Sequence, residues 1–237
     1  MKTLIVLHGW QSSKEKWQKV KDLLEKEGIE AIVPDIPGFK PETELTRVWT
    51  LDDYVEWFNN FSQERTGFFL LGHSFGGRIA IKFASQYPCR LQGLLLVSAA
   101  GIKKQQNFFG KIVTKGAELV KKFKIEEMPF SKGLWRLFRK FFYRYILRKT
   151  DYFNTSGFLK ETIKNILDED LVHLFPKIMV PTNIIWGEKD KITPIADAHF
   201  MKEQIKFSEL EVMPGIGHTP QLEKPELLAE KIIKFLK

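Results

Sequence analysis

Apolar residues in this chain follow two rhythms: short unbroken runs, and longer stretches in which they return every three or four positions. Unbroken runs rich in Leu, Ile, Val and Phe, closed by turn residues, fit parallel strands buried on both faces. Strands are predicted at Lys2 to His8, Glu30 to Pro34, Phe68 to Leu71, Gln92 to Ser98, Thr182 to Gly187 and Ser208 to Met213. Helical spacing fills the intervals. Ser12-Ser13-Lys14-Glu15 resembles a capping box, opening a helix that carries Trp17, Val20, Leu23 and Leu24 on one face and stops at Gly28. Thr50 with Asp53 caps a second, bearing Leu51, Tyr54, Val55, Phe58 and Phe61. A third continues from Arg78 through Ala84, and Pro225 opens a terminal helix ending near Lys237. Strand and helix in alternation make an α/β fold around a parallel sheet.

The predicted strands start near residues 3, 30, 67, 92, 182 and 208. A βαβ unit takes about 30 residues, so only the interval between 92 and 182 is out of scale, and roughly 60 residues are inserted there. Composition changes at the same place. Lys plus Arg against Asp plus Glu stand at 12 and 12 in residues 1–102, 16 and 8 in 103–175, and 9 and 9 in 176–237, so the whole net charge of +8 lies in the middle segment. That segment also holds 14 of the 31 aromatic residues. The domain reading is a core of residues 1–102 and 176–237 interrupted by an inserted helical cap, 103–175. On a helical wheel of Gly133 to Lys149, Leu134, Trp135, Leu137, Phe138, Phe141, Phe142, Tyr145 and Ile146 fill one half. Arg136, Arg139, Lys140 and Arg144 fill much of the other. A lid over a cleft, with Trp135, Phe138, Phe141 and Phe142 touching substrate, accounts for the apolar face. Peripheral contact with an anionic membrane surface would use both faces.

Several classes fall away. No run approaches the ~18 apolar residues of an integral membrane span. The lone Cys89 and the scattered histidines lack ligand spacing, so no metal and no other cofactor is expected. Cys89 has no partner for an internal disulfide, and the apolar run after Met1 lacks the length and cleavage site of a signal peptide, which points to the cytoplasm. Asn154-Thr155-Ser156 matches a glycosylation sequon but has no secretory route behind it. The basic excess accompanies no nucleic-acid-binding motif and alternates with packing residues, so nucleic acid is not an expected partner.

The richest chemistry follows the third strand. Phe68 to Leu71 runs straight into Gly72-His73-Ser74-Phe75-Gly76-Gly77 and then into a helix, the strand, sharp turn and helix of a nucleophile elbow. Gly72 and Gly76 leave room where Cβ atoms would collide. The Ser74 hydroxyl is thereby pushed above the carboxyl end of the sheet, beside a helix N-terminus whose free N–H groups can face a developing oxyanion. A serine at neutral pH needs a base, and that base needs an orienting partner. Among five histidines, His73 adjoins Ser74 on a strand and points the other way, and His8, before a glycine at the end of strand one, fits a loop-ordering role. His173 and His199 sit in helical patterns. His218, in the loop Pro214-Gly215-Ile216-Gly217-His218-Thr219-Pro220 after the last strand, leaves the same sheet edge as Ser74 and is the candidate base. Strand five delivers Glu188 and Asp190 to that edge. Asp190 is preferred over Glu188 as the orienting carboxylate, its plainer role being to cap the helix that starts at Thr193-Pro194.

Taken together, His8-Gly9-Trp10, Gly72-His73-Ser74-Phe75-Gly76-Gly77, Gly187-Glu188-Lys189-Asp190 and Gly217-His218-Thr219-Pro220 resemble the α/β-hydrolase superfamily, in its order Ser, Asp, His. The resemblance covers essentially the whole chain except the insert. It implies that the insert is a helical cap over an active site, and that the oxyanion hole uses the backbone N–H groups of Phe75 and of Trp10. Because no counterpart of the family's first two strands precedes Lys2, it also implies a minimal sheet of six parallel strands flanked by helices. Asp35-Ile36-Pro37-Gly38-Phe39 resembles a loop of the family, but Lys40-Pro41-Glu42 stands where many members continue with Gly and Ser, so this rim is expected to differ. Haloalkane dehalogenases and epoxide hydrolases carry Asp at the elbow; Ser74 favours attack on a carbonyl carbon instead.

The expected function is a serine hydrolase, specifically a carboxylesterase cleaving small to medium hydrophobic esters through an acyl-enzyme on Ser74. A carbon–carbon bond hydrolase acting on an anionic keto acid would use the same residues together with the positive charge of the cap. A non-catalytic ligand or membrane-surface binder would use the cap face alone.

Overall fold

Six parallel strands form where the sequence predicts them: β1 (Lys2–Leu7), β2 (Ile29–Ile32), β3 (Phe68–His73), β4 (Leu91–Val97), β5 (Thr182–Gly187) and β6 (Ser208–Met213). Their spatial order is β2-β1-β3-β4-β5-β6. The computed structural model of the chain describes residues 2–103 and 157–237. Met1–Lys103 and Gly157–Lys237 belong to one compact unit. The α-helices of the described residues are α1 (Gln18–Lys26), α2 (Leu51–Phe61), α3 (Phe75–Gln86), α4 (Phe158–Asp168), α5 (Ile195–Gln204), the single turn α6 (Pro220–Glu223) and α7 (Pro225–Leu236).

Successive side chains of a strand point to opposite faces, and here both faces are covered. Ile5, Leu7, Phe68, Leu70, Leu94, Leu96, Ile184 and Trp186 enter one apolar layer, to which α2, α3, α4 and α5 contribute. Leu4, Val6, Phe69, Leu71, Leu95, Val97 and Ile185 enter the other, closed by α1 and α7 through Val20, Leu24, Leu228, Ile232 and Leu236. The central strands β3 and β5 are buried along their whole length, whereas the edge strand β6 alternates polar and apolar residues and exposes Glu209 and Val212.

The helix starts follow their local chemistry. At α2 the Thr50 hydroxyl accepts from the Asp53 N–H at 3.3 Å, while the Thr50 N–H donates to the Asp53 carboxylate at 2.6 Å, so the cap read from the sequence is a reciprocal capping box. At Ser13 that expectation fails. Lys14–Trp17 form a 3-10 turn with no side-chain cap, and α1 begins only at Gln18. The tighter turn seats Trp17 in the second layer, edge-on to His73 with ring centroids 5.8 Å apart.

Residues 157–177, assigned above largely to the cap, pack on the first layer through Ile166, Leu171, Leu174 and Phe175. The Trp49 N–H donates to Thr162 Oγ1 at 2.9 Å, and Lys82 Nζ lies 2.7 Å from both Asp52 and Glu169. Arg78, buried on α3, donates to the Glu169 carbonyl. The predicted helix at 133–149 with Trp135, Phe138, Phe141 and Phe142, and the sequon at Asn154, lie outside the described residues. Among the described residues, no helix is long and apolar enough to cross a membrane.

The chain steps from β1 to β2 on one side and then to β3 on the other. Loops leaving the carboxyl ends of β1 and β3 therefore diverge around a crevice, the position where open α/β sheets bind ligands. His8-Gly9-Trp10 and Ser74 occupy those two ends.

Candidate active site

Ser74 joins β3 to α3 with φ 53° and ψ −115°, a conformation that costs an L-residue of order 1–3 kcal/mol. Surrounding backbone bonds hold it there. The Ser74 N–H donates to the Val97 carbonyl at 3.3 Å, and the Ser74 carbonyl accepts from Ala100 at 2.9 Å and Gly77 at 3.0 Å. The glycines are needed for the reason read from the sequence. A Cβ on Gly76 would stand 2.1 Å from the Leu7 carbonyl oxygen, and one on Gly72 would stand 2.6 Å from the Gly76 oxygen.

From this corner the hydroxyl meets the two groups delivered by β5 and β6. Ser74 Oγ lies 3.0 Å from His218 Nε2, and His218 Nδ1 lies 2.7 Å from Asp190 Oδ2. The three candidates thus form one continuous hydrogen-bonded array. Burial opposes ionisation of Asp190, but the His218 imidazole, the Thr193 hydroxyl and the Ile192 N–H outweigh it and hold the carboxyl below its usual range. Asp190 does not cap the following helix, which begins at Ile195 with Pro194 at its N-cap and no side-chain cap; its other oxygen, Oδ1, instead holds the turn, accepting from Ile192 N at 2.8 Å and Thr193 N at 3.0 Å. Glu188 is directed elsewhere, accepting from the Gly215 N–H at 2.7 Å.

The other histidines separate as the sequence indicated. His8 is buried and donates from Nδ1 to the Gly9 carbonyl at 2.9 Å, which leaves Nε2 to accept from Ile36 N at 3.3 Å. That bond ties the loop after β2 to the end of β1, and burial keeps the imidazole neutral by lowering its pKa. His173 and His199 are exposed. His73 has a part the sequence did not reveal: its Nε2 donates to the backbone carbonyl of His218 at 2.9 Å. Burial, reinforced by the neighbouring His218, pushes its pKa down to about 3, so the ring is neutral and stays the donor.

Two further supports escaped sequence reasoning. Thr193 Oγ1 donates to Asp190 Oδ2 at 2.8 Å, and its spacing three residues after Asp190 is the one signal that pointed to it. The turn Ser98-Ala99-Ala100 bonds to the Ser74 carbonyl through Ala100 and lies 3.2 Å from Thr193 Oγ1 through the Ser98 carbonyl. It spaces the elbow from the Asp190 loop.

Phe75 is the first residue of α3, so its N–H has no acceptor within the helix. Trp10 lies beside it, with rings edge-to-face at 5.2 Å. Phe39 completes an aromatic trio at 4.8 Å from Trp10 and 5.9 Å from Phe75, and Tyr54 and Trp49 extend it. The rim at Lys40 is tied down by Asp35 at 2.9 Å and Glu15 at 3.3 Å.

An elbow serine at a sheet switch point, backed by an imidazole and a carboxylate from later strands, defines a class. The chain belongs to the alpha/beta hydrolase fold family, whose model matches residues 2–225. Its relatives include the monoacylglycerol lipase ABHD6 of Mus musculus, 26% identical over 99% of this chain and 75% of that protein, and Lipase 3 of Moraxella sp. (strain TA144), 26% identical over 93% of this chain and 72% of that protein. Among solved structures, the esterase from Exiguobacterium antarcticum superposes with a TM-score of 0.75 at 24% identity, covering 100% of this chain and 92% of that one.

Proposed function

We propose that the protein is a serine carboxylic ester hydrolase that works through an acyl-enzyme on Ser74. The observation that carries this reading is the unbroken path from Ser74 Oγ through His218 to Asp190, with contacts of 3.0 and 2.7 Å. His218 Nε2 takes the hydroxyl proton as Oγ attacks the ester carbonyl, and Asp190 stabilises the imidazolium that forms. The N–H groups of Phe75 and Trp10 receive the oxyanion. Collapse returns the proton from His218 to the departing alcohol, and water, deprotonated by His218, then releases the acid and regenerates Ser74. The lipase and esterase names among the relatives support the same reaction class.

The aromatic wall of Trp10, Phe39 and Phe75 favours small to medium hydrophobic esters. Trp135, Phe138, Phe141 and Phe142 enter the proposal as further substrate contacts from the inserted cap, and their alanine variants should change acyl-chain preference. The exposed, unpaired thiol of Cys89 suits the reducing cytoplasm. Purified protein should hydrolyse p-nitrophenyl esters from acetate to octanoate, and Ser74→Ala should lose at least about 10³-fold in kcat/KM. An unchanged rate in Ser74→Ala would overturn the reading. Turnover confined to anionic keto acids, with all esters left intact, would place the same residues in carbon–carbon bond hydrolysis.

A further inference from the structure

His218 has to meet Ser74 and Asp190 at once, yet it stands in a loop with little intrinsic order. Gly215 has φ 74°, and Gly217 precedes the histidine directly. Three backbone groups around His218 are nevertheless held. Glu223, the last residue of α6, accepts from the Gly217 N–H at 2.8 Å through Oε2 and from the Thr219 N–H at 3.1 Å through Oε1, and the Thr219 hydroxyl adds a bond of 3.0 Å. The His218 carbonyl between them receives His73 Nε2 at 2.9 Å. One carboxylate therefore bridges the backbone N–H groups of the two residues on either side of His218.

We propose that Glu223 is a positioning residue for His218, clamping the backbone on either side so that the imidazole is held in reach of Ser74 and Asp190 before substrate arrives. This role rests on the ester-hydrolase reading above. Its physical basis is the steep dependence of proton transfer on placement, where a shift of about 1 Å costs ~10²-fold in rate. Only an acceptor with two oxygens meets both flanking N–H groups. The amide of Gln keeps one acceptor, and Ala keeps none. Because the clamp acts on the imidazole rather than on the substrate, its loss appears in kcat and not in KM.

The test compares the parent, Glu223→Gln and Glu223→Ala on p-nitrophenyl butyrate, well below the melting temperature of each. The expected order of kcat is parent, then Gln lower by about 10-fold, then Ala lower by about 10²-fold, with KM within twofold throughout. The second measurement is the low-field proton resonance of His218 Nδ1–H, assigned by its absence in His218→Ala; it should broaden in Glu223→Gln and vanish in Glu223→Ala. A kcat within twofold of the parent in Glu223→Gln, or a loss carried by KM alone, would overturn the clamp, as would an unaltered resonance. If Glu223→Ala does not fold, Glu223→Gln decides. A parent that is inactive on every ester but keeps a resonance sensitive to Glu223 removes the ester reading and leaves the clamp. A parent active on esters and matched by Glu223→Gln removes the clamp alone.

Discussion

Asp190 divides its two oxygens between two tasks, Oδ2 toward His218 and Thr193 and Oδ1 toward the turn at Ile192 and Thr193. Asp190→Asn preserves the shape but offers an N–H where His218 Nδ1 needs an acceptor, so the imidazole is driven into the wrong tautomer. A kcat lower by ~10³–10⁴-fold with little change in KM is expected, measured by steady-state kinetics on a p-nitrophenyl ester. His73 leads to a prediction about pH. Its folded pKa of about 3 lies below its ordinary value of 6.5, so below pH 6.5 the unfolded chain binds a proton that the folded chain refuses. Stability from this group is therefore whole above pH 6.5 and is lost as pH falls toward 3, at up to ~1.4 kcal/mol per unit. Asp190, depressed from 3.8, acts in the same direction but only at lower pH. In urea titrations between pH 7.5 and 5, the parent midpoint should fall with pH and that of His73→Gln should fall less; parallel slopes would contradict the assignment.

At the scale of elements, the elbow sets strain against space. Ser74 sits where only glycine is at ease, while Gly76 sits where nothing larger fits. The two neighbours should thus respond with opposite signs. Ser74→Gly should be more stable than Ser74→Ala by about 1 kcal/mol, the strain of order 1–3 kcal/mol less the extra chain entropy of glycine. Gly76→Ala should be destabilised by several kcal/mol or fail to fold, because the clash is with backbone of β1 rather than a movable side chain. Thermal melts of the three variants check both signs. Between α2 and α4, Thr162→Val should cost ~1–3 kcal/mol by leaving the Trp49 N–H without its acceptor, read from the shift in denaturant midpoint.

The elements and groups legible in the sequence share a property: their signal is local. Ser74, Asp190 and His218 each follow the carboxyl end of a strand inside a short run of turn residues, and unbroken apolar runs mark the central strands. His73, Glu223 and the Ser98 turn stayed hidden because they work on backbone amides and carbonyls, which no residue-type pattern marks. His73 serves a residue 145 positions away. The 3-10 turn at Lys14–Trp17 was missed because tertiary burial of Trp17, not capping chemistry, sets that segment.

At the scale of the molecule, the chain enters the insert after β4 and resumes ahead of β5. Pairing of these two strands, from Leu94 with Thr182 to Val97 with Ile185, is the seam between the two parts of the sheet. Ser74 belongs to the earlier part. Asp190 and His218 belong to the later one, where their loops are laced together by Glu188 N to Met213 O at 3.1 Å and Lys189 N to Ile216 O at 2.8 Å. A Cβ on Gly187 would stand 2.1 Å from the Gly217 oxygen, so those two loops touch without slack. A ribosome making this chain thus releases an inert alcohol first. On the proposed mechanism the imidazole and carboxylate it needs emerge much later, on loops that touch each other in the fold, so ester hydrolysis is expected only once β5 and β6 have docked against β4.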